Sequence, residues 1–297
     1  MKILVTGASG LIGKALVEKL KQNRHEVRCL TRKKATKANE FHWNISENFI
    51  DERAFENLDI IIHLAGANIS ERWTASYKKE LYSSRIDSAN LLRKYCSEKN
   101  IRLKAFISAS GINFYGTFTS DKILDETSGI IRHDFLAQLC VAWEHCADAF
   151  VEIAERVVCL RTAMVLAKNG GALPKLQKIT NFNLASPVGS GKQWMNWIHI
   201  DDLVNLYLYA VENSSVNGKL NATTEGWETN SDFMKKLAQN SHKIFLPINI
   251  PSFVVKTAFG EMSQILLEGT RVSNKKIKSL GFDFKYEDLK SALATFQ

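Results

Sequence analysis

The sequence predicts an α/β protein built on a Rossmann-type, doubly wound parallel sheet with a small C-terminal lobe. Strand-like apolar runs alternate with helical patterns, which is typical of a parallel sheet covered by helices on both faces. The first run leads into GASGLIG at 7–13, a glycine-rich turn that opens a helix, as in dinucleotide-binding folds. The apolar runs lie at 2–6, 26–31, 59–65, 103–110 and 156–162.

Three stretches show the periodicity of helices. Residues 11–22 predict the first crossover helix, with lysines on one face and an opposite face formed by Leu11, Ile12, Ala15, Leu16 and Leu20. Residues 72–99 and 133–150 repeat apolar side chains at three- and four-residue steps and predict two longer helices. Two interpretations fit these longer helices: a homodimer interface, or packing against the sheet alone.

The alternation of strands and helices weakens beyond about residue 215. We therefore expect a Rossmann domain at 1–220 and a small C-terminal lobe at 245–297, after the run FLPINIPS. With 297 residues, of which 45% are hydrophobic, the chain can bury a sizeable core.

Composition excludes several classes of protein. No apolar run has the length of a membrane span or of a signal peptide, so we expect a cytoplasmic protein without membrane contact. Five scattered cysteines with no Cys-x-x-Cys spacing predict buried free thiols and no metal site. The net charge of +8 would suit nucleic acid, but the basic residues do not concentrate in one arm. A small-molecule substrate, and no nucleic acid, is the predicted partner.

The glycine-rich turn predicts a pyrophosphate site. Gly7 permits the tight turn, Gly10 lets backbone amides approach the phosphates, and Gly13 lets helix and strand pack closely. The anion would then lie at the N-terminus of the helix. A glycine-rich turn without a ligand is the alternative.

The end of the second strand predicts which dinucleotide is bound. An NAD site would carry an acidic residue there, to accept hydrogen bonds from the ribose hydroxyls. This chain has Thr31-Arg32-Lys33, and a guanidinium binds a 2′-phosphate whereas a carboxylate would repel it. NADP(H) is therefore the predicted cofactor, and a solvated basic turn is the alternative.

Several motifs together resemble the extended short-chain dehydrogenase/reductase superfamily. Its pattern Gly-x-x-Gly-x-x-Gly is followed here by HLAG at 63–66. Over essentially the whole chain, further motifs resemble an atypical subfamily labelled nucleoside-diphosphate-sugar epimerase, of the NAD-dependent epimerase/dehydratase family. These motifs are GANISERWTASYKKELYSSRI at 66–86, SGINFYG at 110–116, GSGKQWMNWIHIDDLV at 189–204 and LLEGTRVSNKKIKSLGFDFKYEDL at 266–289.

The resemblance implies which residues contact the cofactor. The loop would hold the pyrophosphate, Thr31 and Arg32 the adenosine phosphate, and the segment from Leu64 the ribose. Glu80 and Arg85 would lie near the nucleotide and Val165 near the nicotinamide; a solvated pair on a helix face is the alternative for Glu80 and Arg85. The implied set is Gly7, Ser9, Gly10, Leu11, Ile12, Thr31, Arg32, Leu64, Ala65, Gly66, Glu80, Arg85 and Val165.

The superfamily's catalytic Tyr-x-x-x-Lys pair is missing. Members of the superfamily place this Tyr and Lys eight and four residues before a helix Glu. If Glu144 is that residue, Leu136 and Cys140 stand at the two positions. The Ser position, four residues before Tyr115, holds Gly111.

Other residues are candidates for the chemistry. Tyr115 is a displaced acid or a pocket-lining ring, and Ser110 a substitute for the missing serine or a turn cap. The substrate candidates combine cations, aromatic rings and an imidazole, with packing of the lobe as the alternative; Asp201 is predicted to cap a helix instead. The substrate candidates are Arg72, Trp73, Trp194 and His199.

Two functions follow from these observations. The first is an NADP(H)-dependent oxidoreductase or epimerase that acts on a nucleotide-linked sugar or a similar small molecule. The second is a protein that senses NADP(H) without turnover, which the replacements at 136 and 140 favour.

Overall fold

An eight-stranded sheet forms the centre of the computed structural model, which describes residues 1–297. The strands of the protein are β1 Lys2–Thr6, β2 Glu26–Thr31, β3 Glu40–Asn44, β4 Phe49–Ile50, β5 Ile60–His63, β6 Ala105–Gly111, β7 Ser120–Leu124, β8 Val157–Thr162, β9 Met164–Leu166, β10 Trp194–Met195, β11 Trp197–His199, β12 Gly218–Ala222, β13 Glu228–Thr229 and β14 Thr270–Val272. The helices are α1 Leu11–Gln22, α2 Ala75–Ser83, α3 Ile86–Glu98, α4 Phe135–Asp148, α5 Leu173–Asn181, α6 Ile200–Glu212, α7 Asn230–Asn240, α8 Ser252–Phe259, α9 Gln264–Leu267, α10 Lys275–Ser279 and α11 Leu289–Ala294.

The order of the strands creates a switch point beside β1. The sheet runs β12-β8-β6-β5-β1-β2-β3-β4, and every pairing is parallel except that of β3 with β4. Strands that follow β1 therefore extend first to one side and then, from β5 onward, to the other. Ligands of open α/β sheets bind at the carboxyl edge of such a point. The predicted fold class is confirmed.

Both faces of the sheet are buried, which explains the continuous apolar strands. Ile3 and Val5 pack in one core with side chains of α1 and α6. Leu4 points the other way, into a second core with side chains of α3 and α4. Successive residues of a strand point to opposite faces, so a strand covered on both sides needs apolar residues at every position.

A third core lies in the second half of the chain. Side chains of α7 and α11 pack there against Leu166 of β9, Leu173 of α5 and Trp197 of β11. Outside the large sheet, β7 pairs with β14, β10 with β13 and β9 with β11. No helix is long and apolar enough to cross a lipid bilayer.

Two secondary-structure predictions need correction. The predicted helix at 72–99 is divided into α2 and α3, since the chain breaks at Ser84 and Arg85. β12, which completes the eight-stranded sheet, was not predicted from the sequence. Its polar residue Asn221 interrupts the apolar pattern, so the alternation of strands and helices weakens beyond residue 215. The prediction of free thiols is confirmed: all five cysteines are unpaired and buried.

Candidate functional site

The glycine loop connects β1 to α1 with very little space around it. Gly7 has φ +68°, and a Cβ there would lie 2.7 Å from the carbonyl oxygen of Leu64. A Cβ at Gly13 would lie 2.2 Å from the carbonyl oxygen of Gly7. Only glycine fits at these two positions, because the first needs a left-handed backbone and the second packs directly against the loop.

The first turn of α1 presents free amides at this loop. Gly10 is the N-cap and offers no side-chain hydrogen bond to the helix, and Ser9 beside it is exposed. The amide of Gly10 itself donates to the carbonyl of Gly7 at 2.9 Å. The amides of Leu11 and Ile12 remain available to an anion, as expected at the N-terminus of a helix.

The end of β5 is fixed to the end of β1. The hydroxyl oxygen of Thr6 accepts hydrogen bonds from the amides of Leu64 at 3.1 Å and Ala65 at 3.0 Å. A Cβ at Gly66 would lie 2.9 Å from the guanidinium carbon of Arg85. The loop after β5 therefore runs between the glycine loop and Arg85, as the sequence motifs implied.

A cavity of about 600 Å³ lies between the carboxyl ends of β2 and β3 and the helices α2 and α3, and no residue of the glycine loop lines it. Arg32 at the end of β2 and Glu80 of α2 both line it. The carboxyl ends of β2 and β3 lie at the same edge as that of β1, since the three strands are parallel. The residues that follow β3 were not predicted to line a cavity, because no motif in the sequence marks them. The cavity is lined by Arg32, Trp43, Asn44, Ile45, Ser46, Asn48, Glu80, Ser83, Ser84, Asp87, Asn90, Leu91 and Lys94.

Arg85 is buried, unlike a member of a solvated helix pair. Its guanidinium donates to the carbonyls of Ala67 at 3.0 Å and Leu81 at 3.1 Å, and it lies over the ring of Trp143 at 4.9 Å. Glu80 is exposed and faces the cavity. The interpretation of these two residues as an exposed pair is therefore wrong.

Val165 lies close to the start of α1. Its carbonyl oxygen would be 3.2 Å from a Cβ at Gly171, and a Cβ at Gly170 would lie 3.1 Å from a methyl group of Leu11. The loop that follows β9 thus packs against Leu11 in the first turn of α1.

Gly111, Leu136 and Cys140 stand where the superfamily has its catalytic Ser, Tyr and Lys. Gly111 and Cys140 lie close together, but the three positions provide no catalytic acid or base. A Cβ at Gly111 would lie 3.3 Å from the sulfur of Cys140. Burial raises the pKa of the Cys140 thiol to about 12, so it holds its proton at neutral pH. Leu136 is buried in a small apolar cluster with Trp73 and with Met262 from the C-terminal part of the chain.

Ser110 and Tyr115 belong to a buried polar network. Ser110 donates to Glu144 Oε1 at 2.8 Å, and the guanidinium of Arg161 donates to both oxygens of Glu144 at 2.8 and 2.9 Å. Arg161 also donates to the Tyr115 hydroxyl at 3.1 Å, and that hydroxyl donates to Asn221 Oδ1 at 2.8 Å.

This network differs from the open site expected around Tyr115. The Tyr115 side chain is fully buried, and burial raises its pKa to about 12 against the opposing effect of Arg161. Its hydroxyl is bonded on both sides and is not available to a ligand. The network links the carboxyl ends of β6, β8 and β12, and this geometry favours a structural role for Ser110 and Tyr115.

Two of the substrate candidates pack within the protein. Trp73 is buried, and its indole donates to the carbonyl of Ile69 at 3.0 Å. His199 is buried between the rings of Tyr286 and Phe296, at 3.9 and 4.8 Å, where it links α6 to the C-terminal residues. For both, the interpretation as packing of the lobe fits this geometry.

His199 also replaces Asp201 as the cap of α6. Its Nδ1 accepts from the amide of Asp201 at 3.1 Å, while Asp201 itself is exposed in the first turn. The prediction that Asp201 caps this helix is wrong. The helix begins two residues earlier than the sequence suggests, because His199, the last residue of β11, is its N-cap.

The other two substrate candidates are accessible. Arg72 is exposed beside the turn at Gly260. Trp194 is half-buried, with its indole donating to Asp121 Oδ1 at 3.1 Å, and the guanidinium carbon of Arg271 lies 4.0 Å from its ring centre. Sequence analysis missed Arg271, which is far from Trp194 along the chain. No group of three or more His, Cys, Asp or Glu side chains is arranged to hold a metal ion.

A comparison with protein families agrees with this geometry. The NAD dependent epimerase/dehydratase family matches residues 3–222. The chain belongs to this family. A domain of unknown function, DUF1731, matches residues 250–296. The resemblance inferred from the motifs is confirmed.

Relatives extend over nearly the whole chain. An epimerase family protein of Mycobacterium leprae is 34% identical over 294 residues, covering 98% of this chain and 94% of that protein. An epimerase family protein of Staphylococcus saprophyticus is 35% identical over 301 residues, with coverage of 98% and 97%.

Solved structures match the fold along its full length. The human epimerase family protein SDR39U1, determined with NADPH, is 29% identical with a TM-score of 0.90 and coverage of 100% and 99%. A nucleoside-diphosphate sugar epimerase of Corynebacterium glutamicum is 28% identical with a TM-score of 0.80; the match covers 99% of this chain and 57% of that one. A UDP-glucuronic acid 4-epimerase of Bacillus cereus shares the fold, with a TM-score of 0.80 at 19% identity and coverage of 100% and 98%.

Proposed function

We propose that this protein binds NADP(H) at the carboxyl edge of its sheet and prefers it to NAD(H). The observation that carries the proposal is Arg32, which directly follows β2 and lines the 600 Å³ cavity, where an NAD-binding protein would have a carboxylate. The free amides at Leu11 and Ile12 are suited to the pyrophosphate. The human relative, which was solved with NADPH, supports the same cofactor.

The charges in the cavity support the role that we propose for Arg32. Glu80 and Asp87 also line the cavity, but they belong to the helices α2 and α3. Lys94 lies about two turns further along α3 than Asp87. Arg32 is exposed and forms no ion pair with these carboxylates, so its N–H groups are free to bind a phosphate bidentately.

Replacing Arg32 with Ala tests this assignment. Hydrogen bonds to charged groups contribute about 1.5–3 kcal/mol, so Arg32→Ala should weaken NADPH binding by about 10- to 100-fold. NADH lacks the 2′-phosphate and should bind nearly as before. Both dissociation constants are measured by titration, following the fluorescence of the nicotinamide and of the protein's tryptophans.

A matched control separates the site from a general charge effect. Lys21→Ala removes a positive charge from the exposed, opposite end of α1 and should change neither dissociation constant. Equal losses for NADPH and NADH in the Arg32 variant would contradict the 2′-phosphate assignment.

The reaction we propose is oxidation–reduction or epimerisation of a nucleotide-linked sugar or a similar small molecule. Membership of the epimerase/dehydratase family supports this class of reaction. The test incubates the protein and NADP⁺ with a panel of nucleotide sugars, and detects NADPH by absorbance and new epimers by chromatography. The Ser110→Ala variant should keep its cofactor affinity if that residue only supports Glu144.

A second candidate function is sensing of NADP(H) without turnover. The specific observation in its favour is that Gly111, Leu136 and Cys140 leave no acid or base at the usual catalytic positions. Tight binding of NADPH with no product from any member of the panel is the result that this candidate predicts.

A further inference from the structure

Arg271 lies between two tryptophan rings without a partner for its charge. Its guanidinium carbon is 4.0 Å from the ring centre of Trp194 and 5.5 Å from that of Trp227. Its Nε is buried and has no hydrogen-bond partner. Such a buried donor normally finds an acceptor, since leaving it unpaired is costly. The terminal amino groups of Arg271 also form no hydrogen bond within the protein, but they are not buried in this way, so they are the groups that a ligand can contact.

We propose that Arg271, Trp194 and Trp227, here called the Arg271 clamp, bind an oxyanion of the substrate. A guanidinium stacked on aromatic rings keeps its N–H groups free in its own plane. Phosphate and carboxylate match this planar fork. The inference deepens the proposed function, on which it rests, because it states that the substrate is an anion.

The backbone is distorted on both sides of the clamp. The pairing of β14 with β7 shifts register between Thr270 and Arg271, and such β-bulges redirect side chains, often next to active sites. Trp227 has φ +46°, a conformation that is unusual for a bulky residue. Strain of this kind costs about 1–3 kcal/mol and is concentrated at functional sites. Two independent distortions thus bring the arginine and a ring together.

The rings are held in place by their own hydrogen bonds. The indole of Trp194 donates to Asp121 Oδ1 at 3.1 Å, and that of Trp227 donates to the carbonyl of Val272 at 3.4 Å. The clamp is therefore fixed before a ligand arrives, which lowers the entropy cost of binding.

Nearby carboxylates are bonded to other residues. Glu225 accepts from Ser273 and from the amide of Asn274, and Glu268 accepts from Thr119. Asp121 accepts from Trp194. None of these carboxylates forms an ion pair with Arg271, so its charge remains available to a ligand.

The clamp and the cofactor loop occupy opposite halves of the site. Trp227 follows β12, the last strand on one side of the switch point, and β14 pairs with β7, which follows β6. Arg32 follows β2, on the other side of β1. The clamp is thus placed for a second ligand that approaches the same edge of the sheet.

Isothermal titration with three probes tests the inference. The probes are UDP, inorganic pyrophosphate and glucuronate, each titrated with and without NADPH, so the result does not depend on cofactor binding. Arg271→Gln should weaken the binding of the recognised probe by about 10- to 100-fold, the range for hydrogen bonds to charged groups. Arg271→Lys keeps the charge but loses the planar fork, and should also bind more weakly than the wild type.

Controls separate the clamp from charge and from folding. Lys275→Gln removes the same charge from an exposed residue nearby and should leave the affinity for every probe unchanged. NADPH affinity should be the same in the wild type and both Arg271 variants, and thermal unfolding verifies that each variant is folded.

Each outcome of these titrations either supports or contradicts the inference. Arg271-dependent binding of UDP and pyrophosphate supports a diphosphate as the bound group, and Arg271-dependent binding of glucuronate alone supports a carboxylate. The inference is overturned if no probe binds the wild type, if Arg271→Gln binds as tightly as the wild type, or if Lys275→Gln loses as much affinity. None of these results depends on Arg32, so the cofactor proposal is judged separately.

Discussion

Replacing Glu144 with Gln should strongly destabilise this protein, although the change replaces only one oxygen by an amide nitrogen. Glu144 and Arg161 are 4% and 2% exposed, and the guanidinium donates to both carboxylate oxygens at 2.8 and 2.9 Å. Burial alone would lower the pKa of Arg161, but the hydrogen bonds and charge of Glu144 raise it above its usual value. Without the charge of Glu144, burial lowers the pKa of Arg161, but a guanidinium stays protonated in proteins, so its buried charge is left without a partner.

The size of the effect follows from that burial. Removing one partner of a buried ion pair costs about 3–5 kcal/mol, because the other charge remains out of water without compensation. At roughly 2–4 °C per kcal/mol, the midpoint of thermal unfolding should fall by about 10 °C. Ser110, which also donates to Glu144 at 2.8 Å, keeps an acceptor in the new amide and adds little to the loss.

Calorimetry and denaturant titration measure this loss against a matched surface pair. Glu98 lies 3.9 Å from Lys94 on α3, and both side chains are more than half exposed. Glu98→Gln should therefore change stability by about 0.5 kcal/mol or less. A loss below about 1 kcal/mol for Glu144→Gln would refute the reasoning, since the pair would then be hydrated rather than buried.

Three further predictions concern the nucleotide side of the sheet. Gly13→Ala should abolish tight NADPH binding and lower stability, because its Cβ would lie 2.2 Å from a backbone oxygen; NADPH titration and thermal unfolding test this. Thr6→Val should cost about 1–3 kcal/mol in denaturant titration, because two amides lose their acceptor; an unchanged midpoint would argue against those bonds. Burial, with a smaller effect of Arg85, lowers the pKa of His63 to about 3, so the folded protein keeps it neutral while the unfolded chain binds a proton below pH 6.5. Stability should thus be complete above pH 6.5 and fall by about 2 kcal/mol by pH 5, and His63→Gln should remove this part of the pH dependence.

The part of the sheet that carries the glycine loop was predictable, because short stretches of consecutive residues determine its structure. β1, β2 and α1 have the bounds predicted from the sequence, since apolar runs and a helical face are written in consecutive residues. The glycine positions follow from the same short stretch, where steric limits leave no other residue. Arg32 could be proposed as the residue that selects the cofactor, because the end of the second strand follows the glycine loop by about 20 residues in such folds.

The substrate side was less predictable because its contacts join distant segments. Tyr115 was expected to be a displaced acid or a pocket-lining ring, but Asn221 and Arg161 enclose it, and neither is close to it along the chain. Arg271 pairs with Trp194 only because β14 joins β7 beside β10. Cations and rings that meet through such pairings leave no periodic signal in a single sequence.

The burial of all five cysteines makes this protein convenient for spectroscopy. Burial raises the pKa of each thiol, to about 12 for Cys96, Cys140 and Cys159. At pH 7 the thiolate of those three is then about one part in 10⁵, and maleimides and spin labels react with the thiolate. Cysteines introduced at exposed positions can be labelled in the otherwise native chain. Two of them, one on α8 and one beside Arg32, would carry a donor and an acceptor and report, in solution, any change in the distance between α8 and the 600 Å³ cavity when a ligand binds.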